Sequence, residues 1–312
     1  MTQNKANKLM THFIKLLFFI FSGLFTVTSY GAGEVDPLNG LLVTDYGSGD
    51  GYNYDGSEFG EYGAGGYNPA AFIIEVKGDS FGFLKDHRID TPNHPYDYNV
   101  DCNNDGTNDG ENQSAHFLCT YPDDGYHIVS ITGKLPYFRA DDDSVEKIIS
   151  IENWGDTLWF TMRASFSDAS NLVGINNGAG VPDLYNVATM SQMFANAPKF
   201  NADLSLWNVS SVTDMSGLFM NAKSFTSNLD RWNVSNVTNM QATFQGAGKF
   251  NSNLSTWNMS SVTNMQAMFS AAYNFNSDLS QWDVLNVTDM QLAFSDANSF
   301  DGNDLSCWNV SS

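Results

Sequence analysis

The stretch from Trp232 to Met240 reads Trp-Asn-Val-Ser-Asn-Val-Thr-Asn-Met, and Phe244 and Phe250 follow it at fixed distances. The pattern occurs five times in the C-terminal part of the chain, with 25 residues between equivalent methionines. A fixed period of this length is typical of proteins in which each repeat buries its apolar face against its neighbours. The methionines are Met190, Met215, Met240, Met265 and Met290, and the phenylalanines four residues later are Phe194, Phe219, Phe244, Phe269 and Phe294.

Within one repeat, the spacing of the apolar residues predicts a short strand followed by a short helix. Trp207 and Val209 are two residues apart and would share one face of a strand. Leu204 completes a pattern close to the strand of leucine-rich repeats. Met215 and Phe219 then follow at a spacing of four, which indicates a helical stripe.

A capping box marks the expected start of the helix in four of the five repeats, whereas Thr213 of the second repeat is followed by Ser216. Thr238 is followed three residues later by Gln241, a spacing that satisfies backbone N–H groups at a helix N-terminus. The same pairs occur as Thr189 with Gln192, Thr263 with Gln266, and Thr288 with Gln291. The sequence therefore predicts an α+β fold, a small N-terminal β-sandwich followed by a leucine-rich-repeat-like solenoid of short strands and short helices.

Composition divides the chain into five predicted segments. Residues 1–32 form a signal peptide, and residues 33–69 form an acidic linker rich in Gly and Tyr. Residues 70–138 contain short apolar runs separated by turn residues, as in a β-sandwich. Residues 139–189 are expected to form a divergent capping repeat, and residues 190–312 hold the five 25-residue repeats.

The N-terminal segment predicts secretion. Lys5, Lys8 and Lys15 lie before or at the start of an apolar run, and the small residues Gly31 and Ala32 mark an expected cleavage point. A transmembrane anchor is the alternative, although the apolar run is short for a membrane span. We expect a secreted or cell-surface bacterial protein that does not insert into the membrane after signal cleavage.

The charge of the chain limits its partners. The full chain has 14 basic and 35 acidic residues, and removal of residues 1–32 takes away three Lys and no acid. The mature chain then has 11 basic residues against 35 acidic ones, a net charge of −24. Such a chain repels nucleic acid and anionic membrane surfaces, so neither is an expected partner.

A polar position beside the predicted strand offers a candidate binding face. Strand alternation should turn the residue after each repeated Trp away from the core. Side chains that cap turns in their own backbone are the alternative. The candidate binding face consists of Asn208, Asn233, Asn258, Asp283 and Asn309.

A loop near residue 101 carries a possible calcium motif. Its oxygen-bearing residues follow part of the EF-hand spacing, with Gly106 at the sixth position, but Asn112 replaces the usual bidentate Glu. A hairpin turn is the alternative, and a disulfide between Cys102 and Cys119 would hold it without metal. The candidate calcium ligands are Asp101, Asn103, Asp105 and Asp109. No other cofactor is expected.

The third cysteine, Cys307, precedes the last repeated Trp at a position that holds Leu, Arg, Thr or Gln in the other repeats. A position with such varied occupants is expected to be exposed. Disulfide-linked self-association through Cys307 is therefore a hypothesis.

The repeat pattern resembles that of BspA-like bacterial surface proteins. The resemblance is carried by Trp232 to Met240 with Phe244 and Phe250, and by the lead-in from Ile149 to Asp156. It implies a secreted or surface-displayed protein with 25-residue leucine-rich-like repeats. Some members of that family are adhesins that bind matrix proteins, so the resemblance also implies an adhesin role.

A second resemblance concerns residues 70–138. The block from Tyr121 to Gly133 resembles the closing strands of polycystic-kidney-disease-type β-sandwiches. The usual Gly-Asp-Gly turn of those domains is replaced here by the stretch from Asp101 to Thr107. The resemblance implies a variant of that sandwich.

The sequence contains no catalytic signature. The four His outside the signal peptide have no metal-ligand spacing, and no nucleophile elbow or phosphate loop occurs. We therefore expect a non-catalytic interaction protein that binds a protein or glycan ligand on a surface or matrix. A self-associating structural or matrix protein is the alternative, and a carbohydrate-active enzyme, which would need converging acids, is a third.

Overall fold

The computed structural model describes residues 68–84, 94–302, 305–306 and 308, all within one compact unit. The predicted signal peptide and nearly all of the predicted linker lie outside these residues. In the described part of the chain, the regular elements are eight strands and the 3-10 helix Val145–Lys147, and residues 305–306 also have 3-10 conformation. The strands are β1 Phe72–Lys77, β2 Ser80–Phe83, β3 Asp97–Asp101, β4 Gly110–Gln113, β5 Phe117–Thr120, β6 Tyr126–Lys134, β7 Ile148–Asn153 and β8 Gly174–Ile175.

Six of these strands form one mixed sheet in the order β4-β3-β6-β1-β7-β8. The central strand β1 pairs antiparallel with β6 and β7, and β7 pairs in parallel with β8. Strands β2 and β5 form a separate antiparallel pair. Two of the six strands come from beyond residue 138, so the sheet does not end at the predicted boundary of the β-sandwich.

Strand β1 lies inside the sheet, between β6 and β7, and side chains on both of its faces are buried. Phe72 and Ile74 point into the main hydrophobic core, and Ile73 packs in a small cluster with Ala71 and Ile128 on the other face. All of these side chains except that of Ile128 are fully inaccessible to solvent. Residues that alternate between two buried faces give the continuous apolar run typical of a central strand.

The predicted α+β fold is wrong: neither the helices nor the leucine-rich-repeat-like strands predicted for the repeats occur among the described residues. No α-helix occurs among the described residues, and each 25-residue repeat forms a coil of successive tight turns. In the first repeat, Met193 donates to the Met190 carbonyl and Ala197 donates to the Phe194 carbonyl. Successive repeats touch through single parallel bridges that join Thr189, Asp214, Asn239, Asn264 and Asp289 in order. We call residues 162–302 together with 305, 306 and 308, in which these coils lie one on the next, the repeat stack.

Left-handed backbone at two positions of each coil prevents the helix. Gln192 and Asn196 have φ of 58° and 56°, each at the third residue of a turn. Type II turns require a positive φ at that residue, whereas an α-helix requires a negative φ throughout. The equivalent residues also have positive φ in the other repeats: Gly217, Ala242, Ala267, Leu292, Asn221, Gly246, Ala271 and Asp296.

Every second backbone N–H group in this segment bonds to the next coil. Met190 donates to the Asp214 carbonyl at 3.0 Å, and Phe194 donates to the Leu218 carbonyl at 2.9 Å. Gln192 makes the equivalent bond to Ser216. Successive turns place residues that are four apart on the same side of the coil, as a helix does. The spacing of Met and Phe therefore fits both conformations and does not by itself indicate a helix.

The residues of the predicted capping boxes form hydrogen bonds to neighbouring coils instead of capping helices. The Thr238 hydroxyl donates to the Thr213 carbonyl in the preceding coil at 3.2 Å. The Gln241 side chain donates to the Gln266 side chain in the next coil at 2.6 Å. The turn is capped instead by Asn239, whose Oδ1 accepts from the Gln241 N–H. Both box residues therefore join coils rather than begin helices.

Aromatic rings stack along the axis of the repeat stack. The rings of Phe219 and Phe244 have centroids 5.7 Å apart and planes 13° apart, and Phe244 repeats this with Phe269 at 5.5 Å. A second line of rings runs beside the first, and Phe250 lies 4.0 Å from Phe244. The indole Nε1 of Trp257 donates to the Leu229 carbonyl one coil earlier at 2.9 Å. Each coil is thus joined to its neighbours through both its rings and its backbone.

Residues 139–189 connect the sheet to the repeats. They supply strands β7 and β8 and also a first coil around Met162, whose N–H donates to the Thr189 carbonyl. Trp154 stacks with Phe72 of the sheet at 5.8 Å and meets Trp207 of the first repeat at 5.4 Å. A single hydrophobic core therefore runs from the sheet into the repeat stack.

The stacked phenylalanine rings predict that the loss of stability on removing one ring depends on how deeply that ring is buried. Phe244→Ala should lower the free energy of unfolding by about 3–5 kcal/mol, because its ring is fully buried between two coils. Phe294→Ala removes an equivalent ring that is only partly buried, so the loss should be about half as large. Urea denaturation of the two variants measures the difference, and equal losses would contradict the stacking account.

Candidate binding surface

The predicted binding face lies on the outside of the repeat stack. Asn208, Asn233, Asn258 and Asp283 are all exposed, and each follows a buried tryptophan. Asn309, the fifth predicted member, lies outside the described residues. We use the name Asx column for the four described side chains.

Each member of the Asx column holds a turn in its own coil. Oδ1 of Asn233 accepts from the Ser235 N–H at 3.2 Å, and Oδ1 of Asp283 accepts from the Leu285 N–H at 3.1 Å. The Asn208 side chain also accepts from the Ser210 hydroxyl. In each side chain one oxygen accepts a bond from the turn. The turn-capping role, which was the alternative to a binding face, is therefore observed. The rest of each polar head faces solvent.

A second polar column repeats beside the bridges between coils. It consists of exposed threonines whose hydroxyls donate to the backbone of the preceding coil at 3.1–3.2 Å. Their hydroxyl oxygens and methyl groups remain on the surface. We call this set the Thr column: Thr213, Thr238, Thr263 and Thr288.

The charge of the repeats becomes more acidic toward the C-terminus. Lys249 is the last basic residue, and six acidic residues follow it. The pKa of Asp278 is lowered, first by the backbone N–H of Ser280 and then by its hydroxyl. The pKa of Asp203 is lowered in the same way by Ser205. These two carboxylates therefore stay ionised at pH values below those at which a free Asp gains its proton.

The loop after strand β3 is organised around one buried carboxylate. Asp101 accepts from the backbone N–H of Asn103, Asp105 and Gly106 at 3.3, 3.2 and 2.8 Å. Asp109 accepts from the Cys102 N–H at 2.8 Å. The sequence spacing thus places all four predicted calcium ligands in one compact loop, where their oxygens bind backbone groups.

The predicted disulfide between Cys102 and Cys119 is confirmed, with Cα atoms 5.6 Å apart. It connects the loop after β3 to strand β5 and so ties the large sheet to the two-stranded one. Within the part of the chain that the structure describes, no three His, Cys, Asp or Glu side chains form a metal-binding group. Calcium binding at this loop stays a prediction, and Cys307 lies outside the described residues.

Sequence reasoning missed a polar network on the large sheet. The Ser150 hydroxyl contacts the carboxylates of both Glu75 and Glu152, and the Asn176 side chain donates to Glu152 at 2.8 Å. Burial raises the pKa of Glu75, with a further contribution from the negative charge of Glu152. The residues come from β1, β7 and a turn after β8, so no local spacing could have grouped them.

A second missed contact joins His116 to Asp141. Nε2 of His116 lies 2.7 Å from Oδ2 of Asp141, although 25 residues separate them. The nearby Ser144 hydroxyl accepts from the Gly82 N–H at 2.9 Å. This Ser is therefore a structural acceptor that holds strand β2 against the 3-10 helix region.

The repeat region matches a known family model. The model is described as "Mycoplasma protein of unknown function, DUF285", and it matches residues 160–269 and again 226–312. The two matches cover the Met162 coil and all five repeats but not strands β1 to β7. No curated protein and no solved structure gives a match to the chain. Among the described residues, no helix has the length and apolar character that a membrane crossing requires.

Glu75 predicts a pH dependence of stability. Its pKa is raised in the folded state, so the unfolded chain loses this proton at lower pH than the folded chain. Stability from this group is present below the ordinary Glu pKa and falls as pH rises toward the folded-state pKa. Glu75→Gln should therefore raise the melting temperature at pH 7 and leave it nearly unchanged at pH 4. Parallel pH curves for the variant and the wild type would reject this assignment.

The acidic loop predicts different effects for two neighbouring aspartates. Asp101→Asn should lower the free energy of unfolding by about 1–3 kcal/mol, because backbone N–H groups lose a charged acceptor. Asp105→Ala should change the melting temperature little, since that side chain is exposed. The same melts with 5 mM calcium test the metal. A calcium-dependent rise that Asp105→Ala removes would establish the site, and no rise would leave a disulfide-pinned turn.

Proposed function

We propose that the protein is a secreted or cell-surface, non-catalytic interaction protein that binds its ligand through the exposed polar columns of the repeat stack. The observation that carries the proposal is the regular recurrence of the Asx and Thr columns on successive coils. The valine or methionine beside each member is buried in the core, whereas the members of both columns are exposed on every described coil.

The regular stack supports binding rather than catalysis. A surface that repeats the same groups at the spacing of the coils suits a ligand with its own repeating or extended structure. The glutamates that do converge, Glu75 and Glu152, accept from Ser150 and Asn176 of the large sheet and its flanking turn. The carbohydrate-active alternative requires acids that flank an open cleft.

The charge favours a cationic or neutral ligand. No Lys or Arg follows Lys249, while Asp278, Asp283 and Asp289 belong to the last repeats. An extended basic segment of a matrix protein would meet complementary charge along this side. The resemblance to BspA-like proteins supports the same class of ligand. The apolar run and small residues within 1–32 support export.

The charge argument predicts which substitutions weaken binding. The double variant Asp278→Asn and Asp283→Asn should reduce binding to an immobilised polylysine peptide several-fold, because two negative charges leave the last repeats. Asn occupies both positions in other repeats, at Asn228 and Asn233, so the turn caps are retained. Surface plasmon resonance at two salt concentrations measures the loss.

The matched control is Asp124→Asn, which removes one exposed charge from the sheet region. It should leave binding unchanged, and all variants should keep the wild-type melting temperature. Equal binding by the double variant, or binding that appears only when the wild type oligomerises, would contradict the proposal. The second outcome would favour the self-associating matrix protein.

A further inference from the structure

The asparagines of the Asx column each precede a serine by two residues, with one buried Val or Met between them. The triplet Asn-x-Ser is the motif in which a transferase attaches a sugar to the amide nitrogen of an exposed asparagine. All three asparagines are exposed. The triplets therefore lie on the surface of successive coils: Asn208 with Ser210, Asn233 with Ser235, and Asn258 with Ser260.

The capping of turns does not by itself account for the serine. In two other coils an aspartate holds the position of the asparagine and caps the same turn. Oδ1 of Asp183 accepts from the Tyr185 N–H at 3.0 Å, and Oδ1 of Asp283 accepts from the Leu285 N–H at 3.1 Å. Neither Tyr185 nor Leu285 is a Ser or Thr, so the turn forms without a serine side chain. At this position of the described coils, serine occurs only where the residue two before it carries an amide nitrogen.

The hydrogen bonds fix which end of each amide is left for solvent. Oδ1 of Asn208 accepts from both the N–H and the hydroxyl of Ser210, at 3.2 and 2.7 Å. Oδ1 of Asn233 and Oδ1 of Asn258 accept from the N–H of the following serine at 3.2 and 3.1 Å. Because the oxygen is bound to the turn, Nδ2 is the free end, and it has no acceptor among the described residues.

Two further triplets of the repeats use the amide nitrogen to hold the stack together. Nδ2 of Asn236 donates to the Ser210 carbonyl, and Nδ2 of Asn286 donates to the Ser260 carbonyl, each at 2.7 Å. Both asparagines are exposed and are followed two residues later by a member of the Thr column, so they match the motif equally well. Their nitrogen, however, must leave a backbone carbonyl before it can react. The structure therefore divides triplets of one motif into two groups.

Asn253 and Ser255 form one more triplet, on a neighbouring column. Asn253 is exposed, and its Oδ1 accepts from the Ser255 N–H at 3.0 Å. Its Nδ2 has no acceptor in the described part of the chain, so it belongs to the group with a free amide. In this column Asp203 and Asp278 are also followed by serine. The free amide alone therefore selects Asn253.

We propose that the asparagines with a free Nδ2 carry N-linked sugars: Asn208, Asn233, Asn253 and Asn258. The co-substrate is a sugar activated as a phosphate ester at C1, on a nucleotide or on a lipid, and a transferase of the producing cell catalyses the step. Nδ2 forms a bond to C1, and the bond from C1 to the phosphate oxygen breaks. The phosphate leaves with the electron pair, and Nδ2 loses one proton to a base of the transferase. Asn236 and Asn286 stay unmodified because their nitrogen is bound within the stack.

The test is peptide mapping by mass spectrometry of the chain isolated from the cells that produce it. Fragmentation that keeps the sugar on the peptide assigns each added mass to one asparagine and separates Asn233 from Asn236. Sugar is expected at the four proposed sites and not at Asn236 or Asn286. A single hexose would identify a nucleotide as the donor, and a preassembled oligosaccharide would identify a lipid carrier.

Variants expressed in the same cells test the motif without disturbing the turn. Ser235→Ala should abolish the sugar at Asn233, and Ser235→Thr should retain it. The cap uses the backbone N–H of Ser235, so both variants should keep the melting temperature of the wild-type chain. The double substitution Asp283→Asn and Leu285→Ser should add one modified site, because it places an amide and a hydroxyl on a turn that already has the same cap.

Four results would overturn the proposal. The first is unmodified asparagine at all four sites of the native chain. The second is equal modification at Asn236 and Asn286, since a free amide would then not decide the site. The third is a sugar on Asn233 that persists in Ser235→Ala, and the fourth is a double variant that gains no site. The proposal goes beyond the proposed function and does not rest on it, because none of these measurements reads ligand binding.

Discussion

The row of backbone hydrogen bonds between coils is the interaction on which the repeat stack depends. It fixes one coil directly over the next, because each alternate N–H finds a carbonyl 24 residues later in the chain. The rings can stack only in that register, as Phe219, Phe244 and Phe269 do. The indole bond from Trp257 to Leu229 has the opposite direction and holds the other side of the coil. Backbone and side chains thus specify the same alignment.

This arrangement carries a conformational cost that the contacts must offset. Residues such as Ala242, Ala267 and Leu292 have a positive φ, which costs about 1 kcal/mol or more for a residue with a Cβ atom. In the inner coils, the N–H groups of Ala242 and Ala267 donate to the next coil at 2.8 Å. Leu292 has the same backbone conformation without that bond among the described residues.

The sequence predicted the period, the buried positions and the disulfide, because each depends on residue identity at a fixed spacing. It did not predict the turns, since Met215 and Phe219 lie on one side of a coil in either conformation. Glycine would have marked the positive φ, but only Gly217 and Gly246 occupy those positions in the five repeats. The strand order of the sheet could not be predicted either, because β1 pairs with β7, a strand about 75 residues later in the chain.

The sequence predicted which residues of the candidate binding face are exposed, but not whether they bind a ligand. Exposure of Asn208 and its equivalents follows from alternation beside a buried Trp, and the structure places them on the surface. Their turn-capping bonds give this residue type a structural role within each coil. A side chain that every coil needs for its turn cannot by itself distinguish one ligand from another.

Under the proposed function, selectivity would come from positions beside the turns. The residue before each Trp is one such position, and it holds Leu206, Arg231, Thr256 and Gln281 in successive repeats. All four are exposed, and they differ in charge, size and hydrogen-bonding capacity. The regular columns would set the spacing at which a ligand binds. The variable side chains beside them would decide which ligand is accepted, because their charge and size change from one coil to the next. Thr256 also donates its hydroxyl to the Asp230 carbonyl of the preceding coil at 2.8 Å.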